Sequence, residues 1–298
     1  MDVEKKYKGN TERKMKKLFI KILFLSIISS HIFISENLNA LIPYYYLPET
    51  DKLKKDALLM GKQAYQLLYF GQIKDSLNLA KLAIKLDDKN ETLWTILAET
   101  QIANELYNDA LISLNNAQKI NPKMGEIYFT QSTIYLKQSN IKKAKISLQS
   151  GIEILPKNFR AIFQLGNIYL MEKKYNKSIK EFDKAIKVKA DFWQAINNKG
   201  LAYFELDEIN LSIISFKKAI AFEENAESLL ALASCLSTKN INKAIFFAKQ
   251  ALNKDPNYVD YNFRKEQLWG EKIQNSTEKL FENNELKKEI LFAKTKIK

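Results

Sequence analysis

The chain is poor in the residues on which most catalytic and disulfide-bonded folds depend. It has one cysteine and one histidine in 298 residues, so no intrachain disulfide can form. Because His31 lies in an apolar run near the N-terminus, the remainder has no histidine for a triad, a general base or a typical zinc site. Glycine and proline number only 8 and 5, and so few chain breakers favour helices over many-turned β architecture.

Arginine is also scarce, although the chain is basic. The formal net charge is +13, yet the 47 basic residues include only Arg13, Arg160 and Arg264 as arginine. Proteins that read nucleic acid use arginine for bidentate contacts with phosphates and bases. We therefore interpret the charge as a solvated, lysine-rich surface, which argues against a nucleic-acid partner.

The first 40 residues have the pattern of a signal peptide or a membrane anchor. Lysines precede an apolar stretch at residues 18–34, and the small residue Ala40 follows it. The clean apolar part, residues 22–34, is shorter than a membrane-spanning helix, which favours a cleaved signal. An uncleaved anchor and a buried N-terminal helix are the alternatives, and Met15 is an alternative start. The protein is thus expected to be exported, to a periplasm or thylakoid lumen, or anchored by residues 18–34.

Residues 41–56 connect this leader to the rest of the chain. Pro43 and Pro48 oppose a regular helix. Three consecutive tyrosines, at 44–46, indicate an N-terminal cap across the first hairpin rather than a free linker.

Three sets of residues recur in one register through the middle of the chain, at intervals of 34 residues four times and then 32. A fixed period of this length is the signature of stacked helical hairpins. Small side chains let paired helices approach closely, and each hairpin covers the apolar face of the next. Two sets are small: Ala83, Ala117, Gly151, Ala185, Ala219, Ala251, and Ser76, Ala110, Ala144, Ser178, Ser212, Ala244. The third is bulky: Ile73, Tyr107, Ile141, Tyr175, Ile209, Ile241.

Two units carry a more specific pattern. One has Trp94, Leu97-Ala98, Ala110, Leu114, Ala117 and Pro122, and another has Ile162, Leu165-Gly166, Tyr169, Ser178, Phe182 and Ala185. These residues resemble the tetratricopeptide-repeat family, whose pattern is W-x-x-L-G-x-x-Y, A-x-x-x-F and P. The resemblance covers residues 57–256 and implies an all-α protein, a right-handed α-solenoid of about six helical hairpins.

The resemblance divides the chain into units. The repeats are expected at 57–90, 91–124, 125–158, 159–192, 193–226 and 227–258, followed by a C-terminal capping helix and charged tail at 257–298. The sixth unit is two residues short, which predicts a tight turn near residues 238–240 or a shortened first helix. Beyond Asn275 the apolar pattern thins, so a solvated tail is favoured over a membrane-surface helix.

No catalytic constellation is present in the sequence. There is no glycine-rich phosphate loop and no cluster of cysteine and histidine. Cys235 falls at a buried type of position, and no histidine is available to activate it, so a core thiol is favoured over a nucleophile. The sequence therefore predicts a protein that is not an enzyme and needs no metal or other cofactor.

The resemblance implies a partner-binding groove along the first helix of each repeat. Of the apolar members, Phe129, Phe163, Leu170 and Phe204 either floor the groove or pack on neighbouring first helices. Asn167 and Asn198 match the amides of a family clamp for C-terminal carboxylates, but Phe163 replaces its lysine, so that ligand is not expected. The mapped positions are Glu99, Phe129, Thr133, Arg160, Phe163, Asn167, Leu170, Asn197, Asn198, Leu201 and Phe204.

The favoured function is a non-catalytic scaffold that binds a protein or peptide and assists assembly of a membrane or envelope complex. Similar repeat proteins help build photosystem I, so an assembly factor of that kind from a photosynthetic bacterium is one alternative. RNA binding by a helical array is the second, and the groove phenylalanines argue against it. A regulatory module of an enzyme is the third. Membrane contact is expected only through the N-terminal segment.

Overall fold

The computed structural model describes residues 50–297, which contain 15 α-helices and no strand. The leader predicted at 1–40, and residues 41–49 of the predicted cap, lie outside the described residues. The chain divides into two units between Leu53 and Lys54, and the repeats predicted at 57–258 belong to the second. None of the described helices is long and apolar enough to cross a membrane.

Twelve helices form six consecutive hairpins, as the repeat period predicts. The bulky set of the sequence, from Ile73 to Ile241, marks the first residue of every second helix. The hairpins are α1 (Thr50–Tyr69) with α2 (Ile73–Leu86), α3 (Glu91–Ala103) with α4 (Tyr107–Ile120), α5 (Gly125–Lys137) with α6 (Ile141–Ile154), α7 (Phe159–Met171) with α8 (Tyr175–Val188), α9 (Trp193–Glu205) with α10 (Ile209–Phe222), and α11 (Ala226–Leu236) with α12 (Ile241–Lys254).

Close helix crossings explain the small residues. A Cβ on Gly166 of α7 would come within 2.5 Å of the Phe182 ring on α8, and one on Gly200 of α9 within 2.7 Å of the Phe216 ring on α10. Both rings are fully buried. A larger residue at either glycine would force the paired helices apart, which is the reason that the sequence suggests for its recurring small residues.

The turns inside the hairpins repeat as faithfully as the helices. One residue in each of the first five turns has a positive φ, and the next residue donates its N–H to a carbonyl five positions back, as in a Schellman motif. Only the first of these residues is glycine. They are Gly71, Glu105, Ser139, Lys173 and Asp207. The sixth turn lacks such a residue, and α11 has 11 residues where the four preceding first helices have 13. The two residues missing from the sixth unit therefore shorten its first helix, α11.

The chain after the sixth hairpin is packed rather than loose. A 3-10 turn at Pro256–Val259 leads to α13 (Tyr261–Glu266), α14 (Glu271–Phe281), a 3-10 turn at Asn284–Leu286, and α15 (Lys287–Lys296). Ile273, Leu280 and Leu286 are almost fully buried. The expectation of a solvated tail beyond Asn275 is therefore wrong, because that segment supplies core side chains. Residues 256–296 are called the C-terminal block.

Candidate partner-binding groove

The first helices of repeats two, three and four line one cleft of about 250 Å³. α3 contributes Glu99, α5 contributes Phe129 and Thr133, and α7 contributes Arg160 and Gln164. Four of the residues predicted for a groove therefore lie together. Successive first helices lie side by side in the stack, so positions one repeat apart in sequence become neighbours across it.

Glu99 joins this cleft to a second one of about 310 Å³. The second cleft is lined by Glu99 and Ile102 of α3 and by Tyr65, Leu68 and Tyr69 of α1. Tyr65 and Tyr69 are 53% and 82% exposed, which is unusual for aromatic side chains on a folded surface. The two clefts together are called the open groove, and it runs along the first helices from α1 to α7.

Glu99 is the polar centre of the open groove. Its side chain is partly buried, and burial raises the pKa of its carboxyl above the ordinary value. Among the described residues, Glu99 forms no salt bridge. A partly desolvated carboxylate without a salt-bridge partner favours a positively charged ligand group, because such a group would restore the lost stabilisation of the charge.

The other polar groups of the first cleft are mostly satisfied within their own helices. The Thr133 hydroxyl donates to the Phe129 carbonyl at 3.1 Å, and Thr130 donates to the Glu126 carbonyl at 3.1 Å. The exposed Arg160 is available, with its guanidinium 5.5 Å from the ring of the adjacent Phe159. The cleft thus offers one cation, one anion and an apolar wall.

Phe129 forms the apolar wall and also packs inside its own hairpin. A Cβ on Gly151 of α6 would lie 2.4 Å from the Phe129 ring. The ring therefore rests directly on the helix backbone at this glycine, which fixes its edge in the cleft. The sequence placed Gly151 among the small residues but did not reveal that its smallness positions a groove side chain.

Apart from the exposed Arg160, the predicted groove residues of repeats four and five are buried or half-buried against neighbouring helices. The Phe163 ring packs edge-on against the Phe192 ring, with 5.0 Å between the ring centroids, and its centroid lies 5.8 Å from that of Phe182. Leu170, Leu201 and Phe204 are 6%, 0% and 7% exposed. These side chains pack on neighbouring helices and do not floor an open groove, which agrees with the alternative that the sequence left open.

The predicted amides also bond to protein groups. The Asn198 amide nitrogen donates to the Asn167 oxygen at 2.9 Å, and the Asn197 amide nitrogen donates to the Asn198 oxygen at 3.2 Å. The Ser228 hydroxyl then donates to the Asn197 oxygen at 2.8 Å. This chain of side-chain bonds links α7, α9 and α11, so the amides hold successive repeats together instead of holding a peptide backbone.

The C-terminal block is the reason that these positions are covered. Helix α14 packs on α9 and α11, the first helices of repeats five and six. The Glu205 carboxylate of α9 accepts the Ile273 N–H at 3.1 Å and the Lys272 N–H at 3.4 Å, which caps the N-terminus of α14. Gly270 allows this close approach, because a Cβ would lie 2.3 Å from the Glu205 carboxyl carbon and would displace that side chain.

A second set of contacts fixes the covered surface. The Trp269 indole donates to Glu227 of α11 at 3.3 Å, and Thr277 of α14 bonds to Ser234 of α11 at 2.6 Å. Burial raises the pKa of Glu227 to about 7, although hydrogen bonds from Trp269, Asn197 and Tyr258 oppose that shift. The surface of α9 and α11 under α14 is called the sealed groove.

No candidate reaction centre emerges from the described residues. They contain no group of three or more histidine, cysteine or acidic side chains placed to hold a metal. Cys235 is buried, 3.4 Å from the Ser212 hydroxyl, and burial raises the pKa of its thiol to about 12. A thiol so rarely ionised at neutral pH is a packing group, as the sequence indicates.

Comparisons with known proteins agree with this architecture. Residues 159–192 and 194–225 match the family described as tetratricopeptide repeat. No curated protein sequence matches the chain.

Solved structures with the same fold cover much of the chain. A MamA protein is 24% identical over 58% of this chain and 93% of its own, with a TM-score of 0.51. YrrB, described as a tetratricopeptide-repeat protein with an unusual peptide-binding site, is 19% identical over 61% and 96%, with a TM-score of 0.50. PilW, described as a widely conserved type IV pilus biogenesis factor, is 16% identical over 74% and 97%, with a TM-score of 0.58. At these identities the likeness shows the fold alone.

Proposed function

From the premise of a tetratricopeptide-repeat solenoid, we propose that this chain is a non-catalytic scaffold that holds a segment of a partner protein in the open groove. Repeats of this family bind protein or peptide partners. The observation that carries the proposal is the cleft at Glu99, Phe129, Thr133 and Arg160, to which three successive first helices contribute.

The chemistry of the open groove indicates the type of segment. Large apolar side chains would contact Phe129 and the exposed Tyr65 and Tyr69, and each such contact could supply about 1.5–3 kcal/mol on full burial. A lysine or arginine of the segment would lie beside Glu99, which has no cation of its own among the described residues. We therefore propose an extended segment that combines spaced apolar anchors with one basic residue.

A photoreactive residue tests where the partner binds. We expect a photocrosslinker at Phe129 to capture a partner in living cells, because this side chain faces the cleft. The matched control is the same crosslinker at Asn115, an exposed residue on the outside of α4. A captured partner at Asn115 and none at Phe129 would contradict binding in the open groove.

Charge removal at Glu99 tests the type of partner. Glu99→Gln should weaken binding of the captured segment at least about tenfold, or about 1.4 kcal/mol, in a titration with the synthetic segment. Glu126→Gln, which removes an exposed carboxylate from the first helix of the next repeat, should leave the affinity unchanged. An unchanged affinity in the Glu99→Gln protein would contradict the proposed basic residue of the segment, but it would not contradict binding in the open groove.

We extend the proposal to the assembly of a membrane or envelope complex, with the protein exported or anchored by residues 18–34. The support is the apolar run of the N-terminal sequence, together with the shared fold of a pilus biogenesis factor. N-terminal sequencing of the cellular protein tests the leader, and a mature chain beginning at Leu41 is expected. No described feature favours photosystem I assembly or RNA binding, and the open groove contains a single arginine.

A further inference from the structure

Positive charge is concentrated on one kind of helix. The second helices of repeats three to six (α6, α8, α10 and α12) carry twelve lysines and three acidic residues. The first helices of the same repeats carry three basic and three acidic residues. The positive charge of these four repeats is therefore concentrated on their second helices.

Most of these lysines are exposed and available for an external partner. Lys145, Lys184, Lys249 and Lys254 form salt bridges with acidic residues of the chain. The other eight form none among the described residues and are all exposed: Lys142, Lys143, Lys177, Lys180, Lys187, Lys217, Lys218 and Lys243.

Large apolar side chains are exposed on the same helix faces. Ile146, Ile214 and Phe246 are 55%, 61% and 56% exposed, and they occupy one repeat position on α6, α10 and α12. The equivalent residue of α8 is Lys180. This position lies opposite the buried face of each helix: on α10, for example, Ser212, Ser215, Phe216 and Ala219 are buried.

Helix α15 adds a further strip of the same kind. It packs on α12, contains four lysines and one acidic residue, and leaves Leu291 and Phe292 66% and 55% exposed. Apolar side chains interleaved with lysines form the pattern of a segment that lies at a membrane interface.

We propose that the outer faces of α6, α8, α10 and α12 form a docking surface for an anionic lipid membrane. Lysines attract the phosphate groups of acidic lipids without directional contacts, and the isoleucine and phenylalanine side chains would enter the interface between headgroups and acyl chains. A nucleic acid has no counterpart for these apolar side chains on its phosphate backbone. The open groove belongs to the first helices, so a docked protein would keep it free for a partner.

A fluorescent label tests whether this face contacts lipid. The full-length Phe246→Cys protein can be labelled selectively with an environment-sensitive dye, because Cys235 is buried and its thiol pKa is raised to about 12. We expect a blue shift with phosphatidylglycerol vesicles and none with phosphatidylcholine vesicles. The control label at Thr92→Cys, exposed on α3, should not shift with either. The label reports its own surroundings, so any lipid contact of residues 18–34 does not produce the signal.

Charge reversal tests the lysines. The Lys217→Glu, Lys218→Glu pair should lower the affinity for phosphatidylglycerol vesicles at least about tenfold relative to the wild type. The control pair Lys62→Glu, Lys89→Glu makes the same change of net charge at exposed positions on the first repeat and should have a much smaller effect. An equal loss of vesicle affinity in the two double variants, or no spectral shift of the label at position 246, would overturn the proposal. Lysine-dependent binding of polyuridylate without that shift would assign the face to nucleic acid instead.

Discussion

The open groove and the sealed groove are built from the same repeat positions and differ in what lies above them. Glu99, Thr133, Asn167 and Leu201 are equivalent residues in four successive first helices. Glu99 and Thr133 face the first cleft, Asn167 bonds to Asn198, and Leu201 is completely buried. Burial increases toward the C-terminal block, so the surface left for a ligand is set by a segment outside the repeats.

The covering segment belongs to the folded core. Leu201 and Phe204 of α9 share a buried cluster with Trp269, Ile273 and Leu280 of the C-terminal block. A partner could reach the sealed groove only by exposing these side chains to water, at a cost of roughly 1.5–3 kcal/mol for each large one. The open groove carries no such penalty, and this difference is why the proposed partner site lies in repeats one to four.

Arg264→Ala should have the largest effect, because it removes the buried centre of the C-terminal block. The guanidinium donates to Gln274 and to the Tyr258 carbonyl, each at 2.7 Å, and to the Glu278 carboxylate. Its loss leaves buried acceptors unpaired and opens a cavity, so we expect the free energy of unfolding to fall by about 3–5 kcal/mol in urea denaturation. The exposed Arg160→Ala should change it by less than about 0.5 kcal/mol. Wild-type stability in Arg264→Ala would mean that the block is only loosely attached.

Glu227→Gln tests the carboxyl beneath Trp269 in the sealed groove. Burial raises the pKa of Glu227 from 4.5 to about 7, so between these values the folded protein keeps a proton that the unfolded chain has lost. Stability should therefore fall as pH rises through this window, by up to about 3 kcal/mol at about 1.36 kcal/mol per pKa unit. Denaturation at about pH 5 and about pH 8 measures the fall.

The Glu227→Gln protein cannot ionise at this position, so it should lose much less stability over the same pH range. Glu126→Gln, the exposed control of the open side, should keep the wild-type dependence. Identical pH dependence in the wild type and in Glu227→Gln would show that Glu227 is already ionised in the folded protein.

A matched pair of glycine substitutions compares the hairpins beneath the two grooves. Gly151→Ala would press on Phe129 on the open side, and Gly200→Ala would press on Phe216 on the sealed side. Both should destabilise the fold by about 1–2 kcal/mol in thermal denaturation, because overpacking exceeds the gain in helix propensity. Only Gly151→Ala should also weaken partner binding, since Phe129 lines the cleft. Equal loss of binding in both would point to a general effect of stability.

The hairpins could be predicted from sequence because their packing rule repeats. Gly166 and Gly200 contact Phe182 and Phe216 in the same way, so a fixed interval between small residues reports a fixed helix crossing. The shortening of the sixth unit was likewise visible as a missing pair of residues. Of its two expected consequences, a tight turn or a shorter first helix, the structure has the shorter helix α11.

The limits of the groove could not be predicted, because no repeat rule governs the C-terminal block. Leu268 and Trp269 are apolar residues outside the repeat pattern, and nothing in the sequence around them pairs Trp269 with Glu227 or Leu268 with the cluster around Leu170. The predicted residues Leu201 and Phe204 were consequently placed in a groove that the chain itself fills. Gly270 was the one local indication of this packing. A glycine just before a helix often allows another group to approach the backbone closely, and here that group is the Glu205 side chain.

The smallest expected effect on stability comes from glycine substitutions in two turns, one in the repeats of the open groove and one beside the C-terminal block. Ser139 has φ +57° in the third turn, and its exposed side chain forms no hydrogen bond among the described residues. Ser139→Gly therefore relieves backbone strain of about 1–2 kcal/mol against an entropy cost of about 0.5–1 kcal/mol. We expect a gain of about 0.5 kcal/mol in the free energy of unfolding, measured by urea denaturation. Asp207, at φ +63° in the fifth turn, forms an ion pair with Lys272 of the C-terminal block. Asp207→Gly should therefore gain less than Ser139→Gly, and a larger gain would show that this ion pair does not help to hold the block in place.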